Sequence, residues 1–155
     1  MSFQISSLQK SQFQHLFDLS PKELTLQRGV RMVATKKPGF PCRVSLADAE
    51  IGEEVILVNH EHQSVDTPYR SSYAVFVRPG AVESTLKRDE VPEMLRSRVL
   101  SLRAFDKAGM LILADLAEGI ALETSVETIF ENPGVEYIHL HFAKPGCYAA
   151  RVDRA

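Results

Sequence analysis

The sequence predicts a single α+β domain with a mostly antiparallel, strongly curved β-sheet and two or three short helices. Roughly six or seven β-branched or apolar runs are bounded by Pro, Gly and polar residues, which is typical of strands. The helical patterns are few and do not alternate with the strands, as they would in a parallel sheet. A length of 155 residues with 45% hydrophobic content favours one core over two.

We expect residues 1–155 to form one domain, in which a helical and strand segment (1–40) packs on residues 41–155. A strand in the first segment ends in a Pro/Gly loop, and the middle of the chain contains two β-branched runs. The three runs are "VRMVATKKPGFPC", "EEVILVNHEH" and "SYAVFVRPG".

Three stretches predict short helices. Phe13, Leu16 and Phe17 have helical spacing. The stretch "SPKE" (residues 20–23) is a capping box with proline at the first helical position, and "TSVE" (residues 124–127) is a second capping box. The apolar face of the last helix would consist of Leu122, Val126, Ile129 and Phe130.

Two hairpins follow from the later strands. In the first, "DKAG" joins two apolar runs through a tight turn. In the second, "KPG" joins "VEYIHLHFA" to "CYAARVDR". A three-residue turn would place Cys147 on the face of His139 and His141, whereas a four-residue turn would place it on the core face beside Phe142. The sequence leaves both registers open.

Composition excludes several classes of protein. The net charge of −2, from interspersed charges of both signs, gives no basic footprint for nucleic acid or an anionic membrane. No apolar run approaches the ~20 residues that cross a bilayer. The N-terminus resembles no signal peptide, so we expect a cytoplasmic protein. The two cysteines form no CxxC motif and imply no disulfide framework.

Four of the five histidines form two His-x-His pairs, His60 with His62 and His139 with His141. In a strand, residues i and i+2 share a face, so each pair would present two imidazoles to one side. Neighbouring strands would then offer up to four ligands to zinc, iron or manganese. Alternatively, His60 and His62 lie at the polar end of a strand and face water.

The two cysteines and an adjacent arginine are further candidates. Arg43 follows Cys42, and a guanidinium beside a thiol favours the reactive thiolate. His139 would be the base near Cys147, on the neighbouring strand. The alternative is that both cysteines are small buried hydrophobic residues.

Arginines within the β segments suggest an anion clamp. Arg43 and Arg103 are the main candidates, because a guanidinium on a concave sheet binds a carboxylate or phosphate. Tyr69 lies in the hydroxyl-rich loop "PYRSSY", the kind of segment that lines pockets. A surface ion pair is the alternative for each arginine.

Residues 41–155 resemble an uncharacterised bacterial family of single-domain proteins of about this length, known only as a domain of unknown function. The resemblance is carried by "CRVSLADAEIGEEVILVNHE", "PYRSSYAVFVR", "LRAFD" and "VEYIHLHFAKPGCYAARVDRA". The matching positions are Cys42, Arg43, Asp48, Gly52, Glu53, Tyr69, Phe76, Arg103, Asp106, His139, Gly146, Cys147 and Tyr148.

This chain departs from the family pattern at "SSYAVF" and at three of the four paired histidines. His141 stands where arginine is more usual, and His60 and His62 are not family features. The resemblance therefore favours His139 with the two cysteines over a four-histidine metal site. It implies no activity.

Three functions remain open from the sequence. The first is binding or conversion of an anionic small molecule at a single site built from Cys42, Arg43, Tyr69, Arg103, His139 and Cys147. The second is a zinc or iron protein that uses His139, His141 and Cys147, with His60 and His62 as further ligands. The third is a non-catalytic homodimeric interaction module joined through a sheet edge.

Overall fold

The computed structural model describes residues 1–155, which form ten strands, three α-helices and three 3-10 turns. In chain order the helices and strands are β1 (Phe3–Ser6), α1 (Pro21–Leu26), β2 (Gly29–Val33), β3 (Pro41–Cys42), β4 (Ala47–Asp48), β5 (Glu54–Gln63), β6 (Ser71–Val77), α2 (Glu93–Arg96), β7 (Val99–Phe105), β8 (Leu111–Glu118), α3 (Leu122–Phe130), β9 (Tyr137–Phe142) and β10 (Tyr148–Arg154). The 3-10 turns are Lys10–Gln12, Gln14–Leu16 and Gly119–Ala121.

The strands form two five-stranded sheets. The first has the order β1-β10-β9-β7-β8 and is antiparallel throughout, while the second has the order β2-β5-β6-β3-β4. Only the β3–β6 pair is parallel. The predicted α+β class is confirmed, but the sequence suggested one sheet and fewer strands. Strands β3 and β4 have two residues each, too few to show the two-residue alternation that reveals a strand.

Each sheet contributes to its own hydrophobic cluster. The first sheet packs against α2 and α3 around residues such as Leu102, Leu140 and Phe130. The second sheet packs against the N-terminal segment, whose Phe13 and Leu24 are buried beside its strands. Residues 1–40 therefore supply part of a core.

The capping-box prediction is confirmed at α1. The Ser20 hydroxyl accepts a hydrogen bond from the Glu23 N–H, and the Glu23 carboxylate accepts one from the Ser20 N–H, both at 3.2 Å. The stretch around Phe13 and Leu16 forms 3-10 turns, with both side chains buried. No helix in the structure is both long and apolar enough to cross a lipid bilayer.

The second capping-box prediction is wrong, although the predicted buried face of α3 is confirmed. Helix α3 begins at Leu122, so Thr124 lies inside it. The chain enters the helix through the preceding 3-10 turn, where Gly119 packs on the backbone of Leu95. A Cβ at residue 119 would lie 1.9 Å from the Leu95 carbonyl oxygen, so this close contact fixes where the helix starts.

Both predicted hairpins are present. In the first, Asp106 Oδ1 accepts hydrogen bonds from the N–H groups of Ala108 and Met110. In the second, the Phe142 N–H donates to the Cys147 carbonyl at 2.9 Å, and Tyr148 pairs with His141. Four residues, 143–146, therefore lie between Phe142 and Cys147, and Cys147 lies on the core face beside Phe142.

Candidate functional site

The β9–β10 hairpin separates two cavities. His139, His141 and Tyr148 project from one face of the hairpin, while Phe142 and Cys147 project from the other. The residues that the sequence assigned to a single site are therefore divided between the two faces.

The first cavity, the histidine pocket, lies where the two sheets meet and encloses about 200 Å³. Strand β5 of the second sheet contributes to it, and β7 and β9 contribute from the first. It is lined by His62, Gln63, Tyr69, Ser71, Arg103, Phe105, Leu111, His139 and His141. Five predicted candidates therefore share one pocket: His62, Tyr69, Arg103, His139 and His141.

Three imidazoles cluster around the Tyr148 ring. The ring centroid of His62 lies 5.1 Å from that of His141 and 6.2 Å from that of His139. Tyr148 stacks on His62 at 5.3 Å and meets His139 edge-on at 5.1 Å. This close packing of rings keeps water from most of each imidazole.

Burial sets the protonation of these histidines. Loss of water, followed by the charges of His141 and His62, lowers the pKa of His139 to about 3. Burial is also the main reason that the pKa of His141 falls to about 3 and that of His62 to about 4, and the Arg103 charge adds to both shifts. All three imidazoles are neutral at pH 7.

The neutral rings differ in their hydrogen bonds. Nδ1 of His141 lies 3.0 Å from the Gly146 carbonyl, which only accepts, so this nitrogen carries the proton. Nδ1 of His139 is buried and has no hydrogen-bond partner, and the same is true of Nδ1 of His62. Buried polar atoms rarely lack a partner, and such exceptions concentrate at functional sites and unfilled ligand positions.

Arg103 is the charged group of the histidine pocket. Its Nε donates to Ser101 Oγ at 3.3 Å, and it forms no ion pair. Burial lowers the pKa of Arg103, and no carboxylate lines the pocket to offset that cost. The pocket therefore has an unbalanced positive charge.

The four paired histidines do not come together as one ligand set. His60 packs on the Phe13 ring, with 5.1 Å between their centroids, and does not line the histidine pocket. Cys147 projects from the opposite face of the hairpin from His139 and His141. No group of three or more histidine, cysteine, aspartate or glutamate side chains in the structure is arranged to hold a metal ion.

The second cavity, the cysteine cleft, encloses about 530 Å³. It is mostly apolar, with Cys147 and three cationic residues in its wall and no acidic one. It is lined by Pro38, Gly39, Pro41, Arg43, Leu57, Tyr73, Ala74, Phe76, Ser97, Arg98, Val99, Phe142, Ala143, Lys144, Pro145 and Cys147. A cleft of this size and character is typical of small-molecule sites.

Arg43 is the most buried charged residue of the cleft, at 1% exposure. Its guanidinium donates to the carbonyls of Pro41 (2.6 Å) and Tyr148 (2.8 Å), and its Nη2 donates to Cys147 Sγ at 2.9 Å. Burial lowers the pKa of Arg43, and the Cys147 sulfur opposes that shift. No carboxylate pairs with Arg43, so Cys147 is the one contact able to supply a negative charge.

A second arginine completes this wall of the cleft. Arg98 forms a bidentate ion pair with Asp48, with N–O distances of 2.6 and 2.9 Å. The guanidinium carbons of Arg98 and Arg43 lie 4.8 and 5.0 Å from the centre of the Phe142 ring. Such cation–π contacts favour both charges in an apolar setting.

Cys42 differs from Cys147 in its surroundings. It is fully buried within the cluster of the second sheet, and its sulfur accepts a hydrogen bond from the Arg78 N–H at 3.3 Å. Cys147 retains 8% exposure and lines the cleft. Both thiols are free.

The sequence patterns did not indicate Arg98 or Phe142 as site residues. Arg98 gave no local signal, because its partner Asp48 lies 50 residues earlier. Phe142 was assigned to the core on the basis of strand alternation, which gave no sign that its ring would carry two guanidinium groups. Tyr148 entered only through the family pattern, because its face depends on the length of the preceding turn.

Comparison with known proteins gives a family but no activity. A family described as "Protein of unknown function (DUF1203)" matches residues 39–154 of the 155-residue chain. No curated protein and no solved structure matches the chain. The matched range includes every residue that lines the two cavities except Pro38. The chain belongs to this family of proteins of unknown function.

Proposed function

We propose that this protein binds a small apolar molecule with an anionic group in the cysteine cleft, and that Cys147 is its reactive thiolate. The observation that carries the proposal is the 2.9 Å contact between Arg43 and Cys147, formed by a guanidinium that has no carboxylate partner. The proposal keeps the anionic ligand and the reactive cysteine expected from the sequence, with Arg43 in place of His139 as the group beside Cys147.

The charge of Arg43 supports the thiolate. A buried charge without a counter-charge costs several kcal/mol, about 3–5 kcal/mol where one partner of a buried pair is removed. The two carbonyls in contact with Arg43 are neutral dipoles, whereas an ionised Cys147 sulfur would cancel its charge. A thiolate is also the form of cysteine that attacks electrophiles.

The lining of the cleft supports the class of ligand. Aromatic and aliphatic side chains make up most of the wall, which favours an apolar body. Lys144 forms no ion pair, and no acidic residue lines the cleft. An anionic group on the ligand would meet a positive potential there.

Alkylation by iodoacetamide tests the thiolate. The Cys147 sulfur forms a bond to the methylene carbon, the carbon–iodine bond breaks, and iodide leaves with the electron pair. At pH 7 we expect Cys147 to react at least roughly ten-fold faster than it does in a variant that lacks the Arg43 charge, read by mass spectrometry of the Cys147 peptide.

Arg43→Gln is the charge-removing variant for the same measurement. It should slow the alkylation of Cys147, since the glutamine amide keeps hydrogen bonds but carries no charge. Arg78→Gln is the control, because Arg78 reaches only Glu53 and does not line the cleft. An unchanged alkylation rate of Cys147 in the folded Arg43→Gln variant would overturn the thiolate assignment.

Two fluorescent probes of nearly the same shape test the ligand class. Anilinonaphthalene sulfonate is anionic, whereas N-phenylnaphthylamine is its uncharged counterpart. The anionic probe should bind at least roughly ten-fold more tightly and slow the alkylation of Cys147. Equal affinity, or binding that leaves alkylation unchanged, would contradict an anion-selective cleft around this residue.

We also propose a cytoplasmic location and a homodimer formed through a sheet edge. The free thiols fit a reducing compartment. Strand β8 is an outer strand of the first sheet, and its Ile112 and Leu116 side chains are exposed. Light scattering should give twice the chain mass, and Leu116→Lys should give a monomer. A monomer at every concentration of the unmodified protein would exclude the dimer.

A further inference from the structure

We infer that the histidine pocket is a second, separate binding site that takes a small oxyanion, such as inorganic phosphate, with Arg103 as its charge partner. This site lies across the β9–β10 hairpin from the cysteine cleft and shares no lining residue with it. The inference is independent of the function proposed for Cys147.

The size of the pocket limits the ligand. A volume of about 200 Å³ holds an inorganic oxyanion with its bound water or a short carboxylate. Most small-molecule sites are larger, at about 300–1,000 Å³. The histidine pocket is therefore suited to a compact polar guest rather than to the apolar molecule proposed for the cysteine cleft.

The positive charge of the pocket favours a ligand of negative charge. Arg103 faces it without an ion-pair partner, and none of the nine lining residues is acidic. A guanidinium binds phosphate or carboxylate through parallel N–H donors, and only its Nε has a protein acceptor here. An oxyanion would balance the charge and accept from the remaining donors.

Two of the lining histidines have an unpartnered imidazole nitrogen. His139 is 3% exposed and lines the pocket, yet its Nδ1 has no hydrogen-bond partner. A buried polar atom without a partner is unfavourable, so a polar ligand that pairs with it would bind more tightly. Tyr69 and Ser71 lie at the same pocket and add hydroxyl groups.

The neutrality of the imidazoles favours an oxyanion that carries a proton. Neutral imidazole has one donor and one acceptor nitrogen, and the Nδ1 proton of His141 is already committed to Gly146. The acceptor nitrogens suit the P–OH groups of phosphate near neutral pH. Phosphate is accordingly the probe of choice, with acetate as the carboxylate probe.

The experiment is an NMR titration of the histidine side chains with sodium phosphate and sodium acetate at constant ionic strength. We expect the signals of His62, His139 and His141 to shift saturably with phosphate or acetate, whereas His15 stays unchanged. His15 is an internal control, because it is exposed and distant in sequence from the pocket residues. Whichever of the two anions binds identifies the source of the oxyanion.

Arg103→Gln and Arg70→Gln form a matched pair of variants. Arg103→Gln should weaken binding at least roughly ten-fold, while Arg70→Gln should leave it unchanged, because Arg70 pairs with Glu61 outside the pocket. Absence of saturable shifts with both anions in the unmodified protein would overturn the inference, and this readout needs no variant to fold. Equal affinity in the folded Arg103→Gln variant would also overturn it.

Discussion

The Nη2 atom of Arg43 lies 2.9 Å from the Sγ atom of Cys147, although the two residues are 104 positions apart in the chain. The same guanidinium holds the carbonyls of Pro41 and Tyr148. Through these hydrogen bonds Arg43 links the start of β10 to β3, which belongs to the other sheet. This contact joins the two sheets and also fixes the chemistry of the cleft.

Loss of Cys147 should cost more stability than loss of Cys42. Cys147→Ala leaves a buried guanidinium without its counter-charge, and we expect a loss of about 3–5 kcal/mol in the free energy of unfolding. Cys42→Ala removes a buried sulfur with no charge partner and should cost about 1–2 kcal/mol. Urea denaturation of both variants measures the difference. Equal losses would mean that Cys147 carries no charge in the folded protein.

The Asp48–Arg98 pair should stabilise the fold far more than an exposed pair does. Both side chains are mostly buried, at 7% and 18% exposure, and Asp48→Asn should cost about 3 kcal/mol. Glu61→Gln, which breaks the exposed pair with Arg70, should change stability little. Denaturant unfolding of the two variants provides the test. A similar small effect in both would show that burial adds nothing to the Asp48 pair.

Acid should destabilise the protein through its buried histidines. In the unfolded chain a histidine has a pKa of about 6.5, whereas burial lowers the pKa of His139 to about 3 in the fold. Between these values the unfolded state binds more protons, so stability is fully present above pH 6.5 and falls as pH falls toward 3. Each such proton contributes a slope of about 1.4 kcal/mol per pH unit.

A histidine variant isolates this effect. His139→Gln should remove about one proton from the pH dependence of unfolding between about pH 6 and pH 4, whatever its effect on absolute stability. His15→Gln, which alters an exposed histidine outside the pocket, is the reference variant. Unfolding curves at several pH values give both slopes. An identical slope in the two variants would show that His139 titrates normally.

The two hairpin glycines should respond differently to alanine. Gly146 has a φ of +80° with nothing within 4 Å of an added Cβ, so Gly146→Ala should cost about 1–2 kcal/mol of backbone strain alone. Gly109 has a φ of +84°, and an added Cβ would lie 2.5 Å from a methyl group of Val65. Gly109→Ala should therefore be the less stable variant in thermal unfolding. The opposite order would contradict the contact with Val65.

Local patterns in the sequence predicted a large part of this fold. The Ser20 capping box, the buried face of α3 and both late hairpins are visible in stretches of at most twenty residues. The alternation of "YIHLHF" also placed the histidines and the apolar side chains on opposite faces correctly. Such patterns follow from the geometry of one helix or one strand, so a single stretch contains all the information.

The candidate site was less predictable, because it depends on distances between stretches. The sequence could not give the length of the turn before Cys147, and one residue more or less reverses its face. Nor could it show that Arg98 meets Asp48 or that Arg43 meets Cys147. These contacts arise only once two sheets are packed together, and that packing leaves no periodic signal in the chain.

The four-residue turn between Phe142 and Cys147 makes the last hairpin a partition with a different chemistry on each side. The imidazoles of His139 and His141 line the smaller histidine pocket, and the thiol of Cys147 lines the larger, mostly apolar cysteine cleft. Deletion of a single turn residue would move the Cys147 sulfur to the face of the hairpin that carries the histidines. Arg43 would then lose its contact with the sulfur. The length of this turn thus keeps the Cys147 thiol apart from the imidazoles of His139 and His141, although all three residues belong to one hairpin.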